Sequence, residues 1–155
     1  MRERLSQAVK DAMKAGEKKR LSTLRLINAA IKDRDIASRA DENGEATGKD
    51  KVSDQDILGL LQKMIKQRRE SAATYRQGNR EDLAVAEEAE VKIIEEFLPR
   101  QMSDDETLAA VKVVMAEAGC AGLKDMGRTM AVLKERYTGQ MDFGKASAMV
   151  KDALK

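Results

Sequence analysis

The sequence predicts an all-α protein, and three observations support this fold class. Helix-favouring residues dominate the 155-residue chain, which has one proline, two phenylalanines, two tyrosines and no tryptophan. Apolar residues recur at steps of three and four along most of the sequence. Glycines and capping residues separate these segments at short intervals. We therefore expect a helical N-terminal domain of about four helices over residues 1–99, followed by a small three-helix bundle over residues 100–155.

The first two helices are predicted on either side of Gly16. Residues 2–15 are amphipathic, and Gly16 suits the left-handed conformation that often ends a helix. The second helix is expected from about residue 17 to about residue 40, with Lys18 and Arg25 on its outer side. Its inner side carries four aliphatic residues, Leu21, Leu24, Ile27 and Ile31.

A polar segment, residues 40–51, is predicted to be a mobile loop or turn ahead of the third helix. Ser53 can cap that helix, with Asp56 in the capping-box position. Arg68 falls on its apolar side, so we expect this side chain to snorkel or to pair with a carboxylate of a neighbouring helix. Lys63 and Lys66 point away from that apolar side, which consists of Ile57, Leu60, Leu61, Met64, Ile65, Ala72 and Tyr75.

A fourth, acidic helix is predicted after the break at Gly78 and Asn79. Its expected apolar side comprises Leu83, Ala86, Ala89, Ile93, Ile94 and Phe97. Pro99 disfavours helical geometry at the residue before it, and the nearby S-x-x-E sequence of Ser103 and Glu106 is a capping box. This segment is the clearest boundary in the chain.

Three short helices are predicted beyond Pro99, over residues 104–118, 123–137 and 143–154. Gly119, Gly122 and Gly139 separate them, and Asp142 is a suitable N-cap for the last. Each has one apolar stripe. The stripes are Leu108, Val111, Met115 and Ala118, then Leu123, Met126, Met130, Leu133 and Tyr137, then Phe143, Ala146, Val150 and Leu154.

Gly127 stands inside the second of these helices, where glycine costs about 1 kcal/mol relative to alanine. Close approach of another backbone or of a ligand is the usual compensation. No glycine-rich nucleotide-binding motif surrounds Gly127, so we expect it to permit close packing of a neighbouring helix. Met126 and Met130 fall on the apolar stripe at helical spacing, which indicates core filling.

Several classes of site are excluded by composition. The chain has no histidine and a single cysteine, Cys120, which removes most zinc sites, nucleophile pairs that need histidine, and any intramolecular disulfide. Cys120 itself is interpreted as a small, weakly buried residue. We expect no metal, no cofactor and no catalytic residue. The charged N-terminus is unlike a secretion signal and no apolar run is long enough to span a membrane, so the prediction is a cytoplasmic protein without a membrane partner.

The charges are unevenly distributed along the chain. Residues 1–80 have 19 basic and 12 acidic side chains, residues 81–100 have 2 and 7, and residues 101–155 have 8 of each. The basic excess in the first half permits an RNA partner, although solvated helix faces have the same composition. Because aromatic residues are scarce, RNA contact would involve shape and backbone rather than splayed bases.

Four segments together resemble a known family. They are "LSTLRLINAAIKDRDI", "LLQKMIKQRRESAATY", "EEFLPRQMSDDE" and "KDMGRTMAVLKERYTGQMDFGKASAMVKDAL". Their order and spacing are similar to those of stand-alone YqeY-like proteins of the GatB/YqeY family, over nearly the whole chain. Within the last segment, Lys124, Asp125, Met126, Gly127 and Met130 match the family's K-D-M-G-x-x-M, and Gly139, Asp142, Ala146 and Val150 match its closing segment.

This resemblance implies both a fold and a function. The family is similar to the C-terminal tail of the GatB component of the glutamyl/aspartyl-tRNA amidotransferase, where a helical domain is followed by a three-helix domain that helps recognise tRNA. ATP-dependent activation and glutamine hydrolysis belong to other parts of that enzyme. The chain would then be a non-catalytic tRNA-associated accessory protein, and a label of carbon–nitrogen ligase activity with glutamine as amido-N-donor would be inherited from the larger protein. The implied partners are tRNA and the proteins of tRNA aminoacylation or amidation.

The expected RNA-binding residues are basic side chains in both domains. Two alternatives stay open at this point: a protein-interaction module without nucleic-acid contact, and a genuine amidotransferase or ligase, for which the sequence shows no ATP or glutamine site. The candidate contacts are Lys124, Arg128, Lys134 and Lys145 in the C-terminal domain, supported by Lys18, Arg25, Lys63 and Lys66 in the N-terminal domain.

Overall fold

The computed structural model describes residues 1–48 and 50–154, and the regular structure of these residues is helical. One isolated bridge between Ala40 and Ala46 is the β feature that they contain. The all-α prediction is therefore confirmed. The helices are α1 Arg2–Ala15, α2 Lys18–Ala37, α3 Asp54–Gln77, α4 Glu81–Glu95, α5 Asp104–Ala118, α6 Met126–Tyr137 and α7 Phe143–Ala153, with a 3-10 turn at Leu123–Asp125.

The chain divides into two compact units, Met1–Leu98 and Pro99–Lys155. The predicted division between residues 99 and 100 is compatible with this. Each unit has its own cluster of buried apolar side chains. Pro99 is exposed in the segment between α4 and α5, at the start of the second unit.

The core of the first unit is formed by helices α1 to α4. Gly16 adopts φ 69° and ends α1 as predicted, and the Ser53–Asp56 capping box starts α3. The predicted stripes of α2 and α3 pack together with α1 and the end of α4, which confirms the helical phase of both. The fully buried side chains of this core include Leu5, Leu24, Ile27, Ile57, Leu61 and Ile94.

Helices α2 and α4 differ from the prediction in extent and in phase. Helix α2 ends at Ala37, about one turn before residue 40. In α4, Ala84 and Val91 are buried, whereas the predicted Ala86 and Ala89 are exposed. Alanine recurs around this helix and has little hydrophobic contrast, so its packing against α3 selects which side is buried.

A charged cluster connects three segments of the first unit that are far apart in the sequence. Arg2 donates to both carboxylate oxygens of Asp35 at 2.8 and 2.7 Å, and the backbone N–H of Val52 donates to the same carboxylate at 2.8 Å. The guanidinium of Arg2 and the Val52 N–H lower the pKa of Asp35 to about 2. The cluster connects the start of α1, the end of α2 and the segment before α3. Nothing in the sequence pattern indicated it.

The second unit is a bundle of α5, α6 and α7 around an aliphatic core. The Ser103 hydroxyl accepts the Glu106 N–H at 3.1 Å, and Asp142 accepts the N–H groups at the start of α7, as predicted. Gly119 adopts φ 63° as the C-cap of α5, and Gly139 adopts φ 85° directly after Thr138, the C-cap of α6. The fully buried apolar side chains include Val111, Val114, Leu133, Met141, Ala146 and Val150.

The stripe of α5 is rotated from the one predicted. Thr107, Ala110 and Val114 are buried beside Val111, whereas Leu108 is 36% exposed. The N-terminal part of the second predicted helix forms the 3-10 turn, where Leu123 is 54% exposed. Apolar residues on several sides of α5 make more than one buried face compatible with its sequence, and the bundle selects one of them.

Candidate nucleic-acid interface

The turn that starts α6 is held by Asp125, the acidic residue of the K-D-M-G sequence. Its carboxylate accepts the backbone N–H of Ala121 at 2.9 Å and that of Gly122 at 3.4 Å. The hydrogen bond from Ala121 is the main reason that the pKa of Asp125 lies below its usual value. Asp125 therefore fixes the loop between α5 and α6, a role that the sequence analysis did not assign to it.

Cys120 and Thr129 tie the same loop to the body of α6. The sulfur of Cys120 lies 2.8 Å from Thr129 Oγ1, and this hydroxyl also donates to the backbone oxygen of Asp125 at 2.9 Å. Thr129 is fully buried and Cys120 is partly buried. The interpretation of Cys120 as a weakly buried small residue is confirmed, and its contact with Thr129 adds to the anchoring of this turn.

Gly127 faces solvent, so the prediction that it allows close helix packing is wrong. It is exposed, and a Cβ atom added to it would meet no heavy atom within 4 Å. The fully buried side chains of α6, Thr129 and Leu133, lie about 160° and about 120° around the helix from Gly127. Gly127 therefore leaves open backbone on the outside of the bundle.

The other motif residues have structural positions. Met126 and Met130 are partly buried and pack against the core of the second unit, as predicted. Gly139 is buried, and its backbone oxygen accepts a hydrogen bond from the Gln101 side chain at 2.6 Å. These contacts hold the ends of α6 in place.

Five exposed residues form a surface that we name the α6 outer face. At about 100° per residue, the helical members point away from the Thr129 and Leu133 side of α6. Two of the five are small and three are basic, and the acidic Glu135 lies beside them. The α6 outer face consists of Lys124, Gly127, Arg128, Ala131 and Lys134.

The four basic residues predicted in this unit are not equivalent. Within residues 1–48 and 50–154, Lys124 and Lys134 form no ion pair, whereas Arg128 contacts Asp125 at 3.2 Å. Lys145 lies at the start of α7, where its ammonium group contacts Asp104 at 3.1 Å. The structure thus groups Lys124, Arg128 and Lys134 on the 3-10 turn and α6, and it places Lys145 on another helix.

The four basic residues predicted in the first unit lie on two helices. Lys18 and Arg25 are exposed on α2, and Lys63 and Lys66 are exposed on α3. None of these four forms an ion pair with another residue in the part of the chain that the structure describes. Their charges therefore face solvent.

The acidic residues of α4 and its C-cap are largely neutralised within the first unit. Arg68 pairs with Glu90 at 2.7 Å, which confirms the expectation for this side chain. Five similar pairs to arginine follow along the helix, so that six of the seven carboxylates of α4 and its C-cap are paired. The other pairs are Arg20–Glu96, Arg69–Glu95, Arg76–Glu81, Arg76–Glu88 and Arg80–Asp82.

Comparison with known proteins identifies the family. Residues 2–154 match the family described as Yqey-like protein. The chain belongs to this family. The match extends over both units of this YqeY-like chain, which confirms the resemblance seen in the four sequence segments.

The relatives of this YqeY-like chain include fungal proteins. "Altered inheritance of mitochondria protein 41, mitochondrial" of Vanderwaltozyma polyspora is 33% identical over 94 residues, which are 61% of this chain and 46% of that protein. A Schizosaccharomyces pombe protein is 31% identical over 61% of this chain and 68% of its own length. A protein of the same name from Pyrenophora tritici-repentis is 28% identical over 138 residues, which are 86% of this chain and 71% of that protein. The chain thus spans less than half of the first of these relatives.

The structure of this YqeY-like chain was also searched for membrane-spanning helices and for metal sites. No helix in the described part of the chain is long and apolar enough to cross a membrane. No group of three or more Cys, Asp or Glu residues there is arranged to hold a metal ion. The cytoplasmic location stays a prediction, since two of the fungal relatives carry the word mitochondrial in their names.

Proposed function

We propose that this protein is a non-catalytic accessory module that binds tRNA through the α6 outer face. The observation that carries the proposal is the combination of open backbone at Gly127 with the basic residues Lys124, Arg128 and Lys134 on the same exposed face. Small side chains let a helix approach a sugar–phosphate backbone closely, and basic side chains supply the charge that phosphates attract.

The arrangement suits backbone contact rather than base reading. The α6 outer face has no aromatic side chain on which a base could stack. Lys124 and Lys134 are separated by about 15 Å along the helix axis, so they would contact different phosphates. The implied role in tRNA recognition, which comes from the similarity to the amidotransferase tail, agrees with such contacts. The proposal assigns no amide-forming reaction to the chain itself.

The test is the binding of total tRNA to the full chain at low and at moderate salt. Phosphate contacts predict an affinity that falls steeply as salt is raised. Replacing Lys124 and Lys134 by Gln removes two unpaired charges from the α6 outer face. We expect this variant to lose about tenfold or more in affinity at low salt, and the slope of log affinity against log salt to fall by about 2.

The matched control replaces Lys112 and Lys151 by Gln. These residues are exposed on α5 and α7 and form no ion pair within the described residues, so the control changes net charge by the same amount in the same unit. Its affinity should stay within about threefold of the natural chain. Equal losses in both variants would show that binding is not directed to α6. Absence of binding at low salt, or amide formation by the purified chain, would contradict the proposal.

A further inference from the structure

The outer side of α2 in the first unit combines apolar and basic residues in a regular pattern. Leu26 is 45% exposed and Ile36 is 51% exposed, and both lie on the side of α2 opposite the buried Leu24, Ile27 and Ile31. Isolated exposed aliphatic residues are common on protein surfaces and need no partner. Here both lie on one stripe of exposed residues along the outer side of α2, with Ala29 between them. We name this surface the α2 outer face, formed by Lys18, Arg25, Leu26, Ala29, Lys32 and Ile36.

The stripe has the spacing of a helix-pairing seam. Ser22, Leu26, Ala29, Asp33 and Ile36 follow one another at steps of four and three, which is the a and d pattern of a heptad repeat. All five are exposed, so no other helix of the unit occupies this seam. Ser22 and Asp33 are its polar members, and a polar residue at such a position is a known means of setting the register of paired helices.

The basic residues occur at the heptad position that flanks this seam. Lys18, Arg25 and Lys32 are separated by seven residues each, so they line one edge of the stripe over about 21 Å. None of them forms an ion pair within residues 1–48 and 50–154. Six of the seven carboxylates of α4 and its C-cap are paired with arginines.

The surface beside the seam is indented at its N-terminal end. Lys18, Leu21, Ser22, Arg25 and Leu26 line a shallow depression of about 370 Å³. Leu21 is partly buried there, and it packs against the core below. An apolar side chain of a partner helix would fit between the two leucines while its acidic neighbours met Lys18 and Arg25.

We propose that the α2 outer face binds an amphipathic helix of a partner protein with acidic residues beside its apolar stripe. Charge complementarity selects this occupant, because the flanking position of α2 holds three cations and no carboxylate. RNA would satisfy the cations but would leave Leu26 and Ile36 exposed. A second copy of α2 would supply no carboxylate at either edge of the seam. This surface belongs to the first unit and shares no residue with the α6 outer face of the second, so either proposal can fail without the other.

The test uses a synthetic three-heptad peptide with leucine at positions a and d and glutamate at positions e and g. Its control is a peptide of the same composition in which the heptad order is broken. Amide chemical shifts of the full chain should change along α2 with the first peptide and not with the second. Replacing Leu26 and Ile36 by Gln should weaken binding about tenfold or more, because the peptide then loses its apolar contacts.

Two further variants sharpen the result. Replacing Met13 and Val85 by Gln removes two aliphatic side chains of similar exposure, 57% and 52%, from other helices of the same unit, and should leave affinity within about twofold. Replacing Arg25 and Lys32 by Glu should abolish binding of the acidic peptide and create binding of a matched peptide with lysine at e and g.

Four outcomes would overturn the proposal. The first is equal binding of both peptides, or binding of neither. The second is a loss of affinity in the Met13 and Val85 variant as large as in the Leu26 and Ile36 variant. The third is a concentration-dependent change of the α2 amides in the free chain, which would assign the face to a second copy. The fourth is tRNA that shifts the α2 amides and competes with the peptide, which would assign the face to RNA.

Discussion

Replacement of Gly127 by Ala should stabilise the second unit. The residue lies in α6, and beyond the nearby backbone of its own helix a Cβ atom there would have no heavy atom within 4 Å, so the added methyl group meets no other part of the fold. Glycine is about 1 kcal/mol less favourable than alanine in a helix interior, mainly because the unfolded glycine has more conformations to lose. Gly127 lies in the first turn of α6, so we expect about 0.5 to 1 kcal/mol of added stability.

Urea unfolding followed through the amide signals of α6 measures the free energy of unfolding of the second unit. The free energy of unfolding should rise, and a thermal scan should show a midpoint higher by roughly 2 to 8 °C if the unit melts on its own. The same variant should bind tRNA more weakly, because the methyl group covers the open backbone of the α6 outer face. Unchanged binding would mean that Gly127 does not set the approach to RNA.

Gly119 provides the matched control. It belongs to the same unit and also has no atom within 4 Å of an added Cβ, but its φ is 63°. Replacement of Gly119 by Ala should therefore destabilise the unit by about 1 kcal/mol, through backbone strain alone. A destabilised Gly127→Ala variant would refute the reasoning, since it would show that another group approaches this backbone in the folded chain.

Three further predictions concern stability. Asp35→Asn should lower the free energy of unfolding at neutral pH. The difference from the natural chain should disappear as pH falls from about 4 to about 2, because the folded pKa of about 2 lies below the ordinary value of 3.8. Urea midpoints across this pH range measure the difference. Ser103→Ala should cost about 1 kcal/mol by removing the N-cap of α5, measured by urea unfolding of the second unit. Leu133→Ala should cost about 2 to 5 kcal/mol in the same assay, because this side chain is fully buried.

Each of these variants has a control in the chain. Asp33→Asn changes an exposed carboxylate on the same helix as Asp35, and its pH profile should follow the natural chain. Ser103→Thr keeps a capping hydroxyl and should retain most of the stability. Leu123→Ala shortens an exposed leucine and should change stability by less than about 0.5 kcal/mol. Equal effects of a variant and its control would contradict the structural reason given for that variant.

The candidate interface was predictable in part. Helical spacing alone indicates that Arg128 and Lys134 share the outer side of α6, because it requires only the residue numbers and the apolar stripe. Spacing does not reveal that Arg128 contacts Asp125 or that Lys145 meets Asp104 at the start of α5. The first pair depends on the conformation of the turn before α6. The second depends on the approach of α5 and α7, because its two residues are 41 positions apart in the sequence.

Three of the helix ends were determined by the sequence itself. Gly16, Ser53 and Ser103 act through hydrogen bonds to residues at most four positions away, so the local sequence contains all the groups involved. The all-α class follows from the same local preferences, summed over the chain.

Only the tertiary structure decided which sides of α4 and α5 are buried and which way Gly127 faces. Alanine and valine surround these helices, so hydrophobic contrast is weak and the neighbouring helices choose the buried side. The Arg2–Asp35 pair joins residues 33 positions apart, and no local pattern indicates it. For Gly127, a glycine in a helix indicates open backbone, but whether that opening faces the core or solvent depends on where the other helices pack.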